Sequence, residues 1–523
     1  MADQVTVTET IINDLPIPQR LLNDEVEQGY MGDILDEMRE IKGFYNVYEK
    51  GAEFTAEGTR GNYTAADLRQ KLCRTIVDKE ARFFASKAPK ITIVPPGGDE
   101  SDKANAAMEQ DLINNVLKDN HFDRKVLQAA KDCFIGKRVL AILNFNQNGV
   151  SLSFVPSMQF LFETEPTNVD VLTKVVAFFI VRKSKNSANR RIYKKKYEMK
   201  NGFCYVSEGI YDGGGNEIEA LLTNVKTKFK YIPAVIISNG GLSGDIQGES
   251  EISQLQEYES WYSKMNGADL DAERKSMNPI IWALDMNPVT TKNLSSSAGS
   301  FWDLKSNDNG AEGRTGSVGM LEPSMSYTTA LNVTLDRIKR GMYNQVDMPD
   351  IDSLEGKVTS GKALKAIYWG LIVRCDEKFL AWGSALEFLT RTIMEGVALY
   401  PEAAKPHYEE YKPTNGDYEI DVENQYPLLS DETEEKTVDL AEVTNKVMSK
   451  KAYMKKWYDM TDTEADAELD QIAVEREHLE DSFSLPSGFP PEDQGNGQVD
   501  QEDEPVEAGN GTGGDQEKDS KEW

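Results

Sequence analysis

Between Lys362 and Leu399, apolar residues recur at steps of three and four: Leu364, Ile367, Tyr368, Leu371, Ile372, Cys375, Phe379, Trp382, Leu386, Leu389 and Ile393. That spacing keeps one helix face apolar over about ten turns and predicts a rod up to ~55 Å long. Shorter stretches follow the same rule. Residues 26–48 carry a helical pattern, and the Gly-rich break "EGTRGNY" follows it. Thr64 can cap a next helix with Asp67 in its first turn, which presents Leu68, Leu72, Ile76, Phe83 and Phe84 to a core and stops before Pro89. Asp102 to Lys118 and Asp123 to Phe134 read as two more helices. Ile252 to Ser276 places Leu255, Tyr258, Tyr262, Met265 and Leu270 on or near one face, and Ser326 to Val346 repeats Leu331, Leu335, Ile338 and Met342 at i, i+4, i+7 and i+11.

Elsewhere the period shortens to two. "RVLAILNFNQNGVSLSFVPSMQFLFETE" turns at Asn146 to Gly149 between alternating runs, and "KVVAFFIVRK", "RIYKKKYEMK" and "FCYVSEGIYD" continue as strands with "KNSAN" and "KNG" as turns. Helices first and an antiparallel sheet second make an α+β class, mainly helical. Between the helices at 252–276 and 326–346 lie short apolar bursts separated by Gly, Ser and Asn. Two long helices side by side with a small β tip are therefore expected. Beyond Pro427 the chain is helical, acidic and only moderately apolar, and from Ser484 its Gly, Pro, Gln and acidic residues have the composition of a disordered tail.

Composition changes the picture at three points. With 523 residues, the chain can fill two to four subdomains or one elongated molecule with several small cores. A formal charge of −30, from 88 acidic and 58 basic side chains, argues against a surface that grips nucleic acid, though not against one past which DNA slides. The four scattered cysteines suit a reducing, cytosolic origin, with Cys73 and Cys375 as core residues. His121, His407 and His478 have no metal-ligand spacing around them and read as surface or capping residues. The longest apolar run, "VVAFFIV", is far too short to cross a bilayer. One basic cluster stands out: Arg182, Lys183, Lys185, Arg190, Arg191, Lys194, Lys195 and Lys196. It reads as a solvated hairpin edge, where Lys discourages sheet aggregation, rather than as a nucleic-acid patch, since no aromatic platform is interleaved at the turn.

"GKVTSGKALK", Gly356 to Lys365, has the spacing of a phosphate-binding loop until Ala363 replaces the metal-holding hydroxyl. The preceding "MYNQVDMPDIDSLE" is polar and broken by Pro349, so the strand that such a loop must follow is missing. A loop from Asp347 to Ser360, with Thr359 or Ser360 capping the long helix, fits better.

Several segments, taken in order, give a resemblance. "IVDKEARFFASKAP" (76–89), "FIGKRVLAILNFNQNG" with "VPSMQFLF" (134–162), "SEISQLQEYESWYSKMNGADLDAERKSMNPIIW" (250–282), "TSGKALK" (359–365) and "SKKAYMKKWYDMTDTEADAELDQIAVERE" (449–477) are colinear from about residue 26 to 480 with the pattern of tailed-bacteriophage portal proteins. The chain resembles that family of head-to-tail connectors.

The resemblance implies an elongated fold in a ring of about twelve copies at one capsid vertex, a conduit for double-stranded DNA during packaging and ejection. It implies a wing at 26–249, a first stem helix at 250–277, a clip at 278–325, a second stem helix at 326–346 and a tunnel loop at 347–360. The wing's long helix and the segment after it then occupy 361–429 and a helical crown 430–482, flanked by an arm at 1–25 and the acidic tail at 483–523. On this reading the loop residues Asp350, Asp352, Glu355, Lys357, Thr359 and Ser360 face the DNA. Phe301, Trp302 and Arg314 of the clip meet the terminase large subunit and later the head–tail adaptor. The other implied partners are major capsid and scaffolding proteins, in the virion and, during assembly, in the host cytoplasm. No catalytic residue, metal, cofactor or membrane contact is implied. A packaging ATPase using 356–363 and a capsid or adaptor protein without a channel are the alternatives.

Overall fold

A computed structural model describes residues 15–55, 65–182, 189–242, 244, 247–277, 280–284, 316–321, 325–350, 361–414, 416–427, 432–458, 460 and 462–482. Two compact units divide the chain, 1–431 and 432–523. The first opens with α1 (Gln19–Asn23), α2 (Met31–Lys50), α3 (Leu72–Ala85), β1 (Lys90–Val94), α4 (Glu100–Asp119) and α5 (Phe122–Gly136). A run of strands follows: β2 (Arg138–Asn146), β3 (Gly149–Pro156), β4 (Phe160–Glu165), β5 (Asn168–Arg182), β6 (Arg191–Lys200), β7 (Phe203–Asp212), β8 (Glu217–Lys226) and β9 (Ala234–Ser238). Then come α6 (Glu251–Met277), β10 (Ile280–Leu284), β11 (Ser317–Leu321), α7 (Thr328–Gln345), α8 (Gly361–Ile367), α9 (Trp369–Leu399) and β12 (Glu419–Glu423). The second unit holds α10 (Glu432–Thr444), α11 (Lys450–Tyr458) and α12 (Asp462–Ser482), where the Trp457 indole and the Lys456 ammonium both bind the Asp439 carboxylate at 2.7 Å.

Among the described residues, all sheets are antiparallel. β3-β2-β9 is the most buried, and β4-β5-β6-β7-β8 is a five-stranded meander; β1 pairs with β12, and β10 with β11. Strand β2 was expected to alternate but is buried on both faces from Arg138 to Leu143, because α5 and α9 cover it on one side and the larger sheet's core on the other. One core joins α3, α5, β2, β3, α7 and α9 through Phe84, Phe134, Met342, Trp382 and Leu389. All four cysteines are buried and free.

Other expectations change. The rod expected at 362–399 is two helices parted at Tyr368, although the Tyr368 and Ile372 amides still donate four residues back across the junction. Of the basic stretch, Arg182 is exposed, Arg190 is half-buried and Lys183 and Lys185 lie outside the described residues, but Lys194 to Lys196 are not a solvated edge, because β6 lies in the middle of its sheet. There the buried Glu25 carboxylate meets Lys194 at 2.5 Å and Lys196 at 3.0 Å, and buried Lys195 meets Glu208 at 2.9 Å. Burial would raise the Glu25 carboxyl, yet Lys194 and Lys196 hold it below the usual range. His407 is also more than a surface residue: its Nε2 accepts the Val150 amide at 2.7 Å, which makes Nδ1 the donor to Asp119 at 2.8 Å.

The helix expected from Thr64 begins only at Leu72, and Leu68 is exposed. Residues 65–71 run instead as a strap along α6. An unpaired strap needs acceptors for its amides, and α6 supplies them at four-residue steps. Asp271 accepts from Ala66 at 3.1 Å and Ser263 from Gln70 at 3.1 Å, while fully buried Glu259 accepts from Cys73 at 2.7 Å and from Ala52 at 3.0 Å. Gly267 lies in the same row, where a Cβ would stand 3.0 Å from the Ala66 carbonyl oxygen. The buried face of α6 is thus largely polar. Glu259→Ala leaves two buried N–H groups without acceptors, and a loss of roughly 2 kcal/mol or more is expected in denaturant unfolding; an unchanged midpoint would show that the strap is held by other means.

Candidate functional site at the base of the 351–360 loop

Helices α6 and α7 lie antiparallel, since Tyr327 at the start of α7 bonds Asp269 at 3.0 Å and Gln345 at its end reaches the Tyr258 hydroxyl at 3.4 Å. Gly341 permits the close approach, because a Cβ there would stand 3.0 Å from the Tyr258 ring. Hairpin β10–β11 belongs to the chain between these two helices.

α7 stops in a complete Schellman turn. The Met348 amide donates to the Tyr343 carbonyl at 3.0 Å and the Asp347 amide to Asn344 at 3.4 Å, with Asp347 left-handed at φ 49°. Met348 and Tyr343 are both buried, as the hydrophobic contact of that motif requires. Gly370 faces Asp347, whose Cβ would be 3.3 Å from an added Cβ. On the far side of residues 351–360, α8 leads into Tyr368, which stacks on Phe83 at 5.4 Å. Both ends of the loop are therefore tied to one core.

Under this junction lies a cluster of four charges. Glu80 of α3 and Glu251 at the first turn of α6 face Arg374 and Lys378 of α9. Lys378 bonds Glu80 at 2.5 Å and Glu251 at 2.6 Å, and Arg374 reaches Glu80 at 3.2 Å and Glu251 at 2.5 Å. Glu80 is fully buried, Glu251 and Lys378 nearly so. Asn239, just past β9, donates to Glu251 at 3.0 Å, and the Lys378 ammonium sits 4.0 Å over the Phe134 ring. Burial and the neighbouring Glu251 raise the Glu80 carboxyl above its ordinary value. Burial acts on Glu251 in the same sense, but Lys378 and Arg374 overcome it and hold that carboxyl low. Lys378 keeps its proton despite burial because both carboxylates face it. Arg374 also contacts the Gln345 carbonyl in the last turn of α7 at 3.5 Å, which links the cluster to the loop base.

Of the residues expected to act, Asp350 is half-buried just beyond this Schellman turn. Asp352, Glu355, Lys357, Thr359 and Ser360 lie outside the described residues, as do Phe301, Trp302 and Arg314. The four cluster residues were missed, although a signal existed. Lys378 interrupts the apolar stripe between Cys375 and Trp382, and Glu80 falls midway between Ile76 and Phe84 at four-residue steps. A charge inside a helix's buried stripe asks for a buried partner. Among the described residues, no group of three or more His, Cys, Asp and Glu could hold a metal ion, and no helix is long and apolar enough to cross a membrane.

An antiparallel helix pair with a hairpin in its connection, and one core that holds the residues on both sides of 351–360, define a mixed α+β structural scaffold. The chain belongs to the phage portal proteins of the SPP1 Gp6-like family, whose sequence model matches residues 36–481 of 523. No curated protein matches it. Family membership makes this a structural protein of the bacteriophage capsid that serves DNA packaging.

Removing one partner of a buried ion pair typically costs ~3–5 kcal/mol, whereas replacing the whole pair by apolar groups can be neutral. Glu80→Met and Lys378→Met are each expected to lose stability on that scale in denaturant unfolding, and the double variant to regain most of the loss; additive losses would mean that the pair is not coupled. The pH dependence follows from the signs. Glu251, held low in the fold, contributes stability that is present above the unfolded carboxyl value and lost as pH falls through its folded value; raised Glu80 acts in the opposite sense. Glu251→Gln should therefore flatten the acid limb of the stability profile, and an unaltered limb would assign that limb to other carboxylates.

Proposed function

We propose that this portal protein forms a ring of about twelve copies at one capsid vertex, with a central channel through which double-stranded DNA is packaged and later ejected. The observation that carries the reading is the family match along 36–481, coupled to a loop whose two ends share one rigid base. In this assembly 26–249 with 361–429 is the wing, 250–277 and 326–346 the stem, 278–325 the clip and 430–482 the crown. Loop 347–360 faces the DNA. Through the clip, with Phe301, Trp302 and Arg314 as contacts, the ring docks the terminase large subunit and then the head–tail adaptor, while capsid and scaffolding proteins surround the wing. It assembles in the host cytoplasm and ends in the virion.

Acidic Asp350, Asp352 and Glu355 keep the duplex from settling on the loop, and Lys357 makes a passing phosphate contact. Thr359 and Ser360 can add neutral hydrogen bonds.

Purified protein viewed end-on by electron microscopy should show rings with a central hole; a monodisperse monomer in every condition would sink the reading. Lys357→Ala particles are expected to package or retain less DNA than the parent while still forming rings, and unchanged packaging and retention would remove Lys357 from the contact.

A further inference from the structure

Strand β8 is exposed at all ten residues, and Ile218, Leu221, Leu222 and Val225 keep between 38% and 50% of their surface in solvent. It ends the five-stranded sheet and, among the described residues, pairs only with β7. Its outer row of N–H and C=O groups is an open template. Folded chains ordinarily shorten, charge or cover such an edge, and this one is long and aliphatic in its middle.

The described chain starts on a face of the same sheet, and its first helix reaches the turn before β8. Leu15 and Ile17 are buried in the cluster that includes Val176, Phe178 and Ile192 of the same sheet. Arg20 hydrogen-bonds Asn216 in the turn that begins β8, and at Gly215 of that turn a Cβ would stand 3.0 Å from the Arg20 Cβ and 3.4 Å from the Leu21 amide nitrogen. Fourteen residues precede Leu15. Extended, they reach roughly 46 Å, against about 33 Å for the ten residues of β8.

Their sequence suits the edge. In "QVTVTETII", residues 4–12, only Gln4 and Glu9 are not β-branched, and neither Gly nor Pro interrupts the run. Laid on the edge from the Gly215–Asn216 end, where Arg20 and Leu21 stand, residues 12 to 4 pass β8 from Glu217 toward Lys226, which is antiparallel and continues the alternation of the sheet. Asp3 then arrives at the basic end, where Lys226, Lys228 and Lys230 stand. We propose that residues 4–12 add to β8 of the same chain as a sixth antiparallel strand, sealing the edge against other strands. The competing occupant is β4 of a neighbouring copy, whose apolar start and acidic end (Glu163, Glu165) could instead run parallel to β8.

Hydrogen exchange read by mass spectrometry tests this in the full chain, in a variant lacking residues 2–13, and in the double variant Val7→Pro/Thr8→Pro. Adjacent prolines remove one N–H from each side of the arm while keeping its length. Residues 217–226 should exchange at least about tenfold more slowly in the full chain than in either variant, with β5 to β7 unchanged. Equal, fast exchange in all three overturns the proposal. Slow exchange that survives in both variants also overturns it and gives the edge to another occupant. The comparison does not depend on ring formation, so its failure is separate from failure of the portal reading.

Discussion

Four charges, three of them buried and Arg374 half-buried, tie together the place where three helices meet. Glu80, Glu251, Arg374 and Lys378 come from α3, α6 and α9, and each carboxylate contacts both cations within 3.2 Å. A slide of one residue along any of these helices is a 1.5 Å step, enough to break at least two of the four bonds and leave a charge unpaired. Apolar contacts between helices tolerate such a slide much better. The cluster therefore contributes register more than net stability, since the desolvation of four charges offsets much of their attraction. Because Arg374 also meets the last turn of α7, the same register extends to the end of that helix.

Helix α6 extends that constraint. Its first turn enters the charge cluster through Glu251, and its middle accepts backbone amides through Glu259, Ser263 and Asp271. A helix with an apolar stripe could rotate by some degrees and keep its burial. One whose buried carboxylate holds two amides from different segments cannot. α6 is thus fixed in rotation by the strap and in position by the cluster, and α7 packs on the face that remains, with Tyr258 nested against Gly341.

Periodicity made the helices legible where their buried face is apolar. The pattern over 252–276 matches α6 at Glu251–Met277, and that over 326–346 matches α7 at Thr328–Gln345. It misled where polar groups do the burying. Residues 65–71 carry a helical pattern, yet they form no helix, and α6 offers their amides acceptors that local sequence cannot reveal. The lysines of β6 looked solvent-facing because their partners, Glu25 and Glu208, are distant in sequence or on the next strand. Just past the break at Tyr368, Gly370 packs on Asp347 of the turn after α7, a contact that local sequence does not reveal. β8 and the β1–β12 pair went unread because one has no buried face and the other joins segments more than 300 residues apart.

Magnitude also narrows what the total charge can do at the proposed channel. Mobile ions screen exposed charges beyond about 8 Å in physiological salt, so in the proposed channel only charges within that distance of the duplex act on it. The buried cluster is balanced, two acids against two bases, and projects little field outward. On the proposed reading, what a passing phosphate meets is set by residues 347–360, whose sequence holds Asp347, Asp350, Asp352 and Glu355 against Lys357 as its single basic residue. Four acids to one base gives weak net repulsion with one attractive point, a balance that permits contact without capture. A rigid base is what keeps that balance in place, because the few charges that matter act only over the width of one or two side chains.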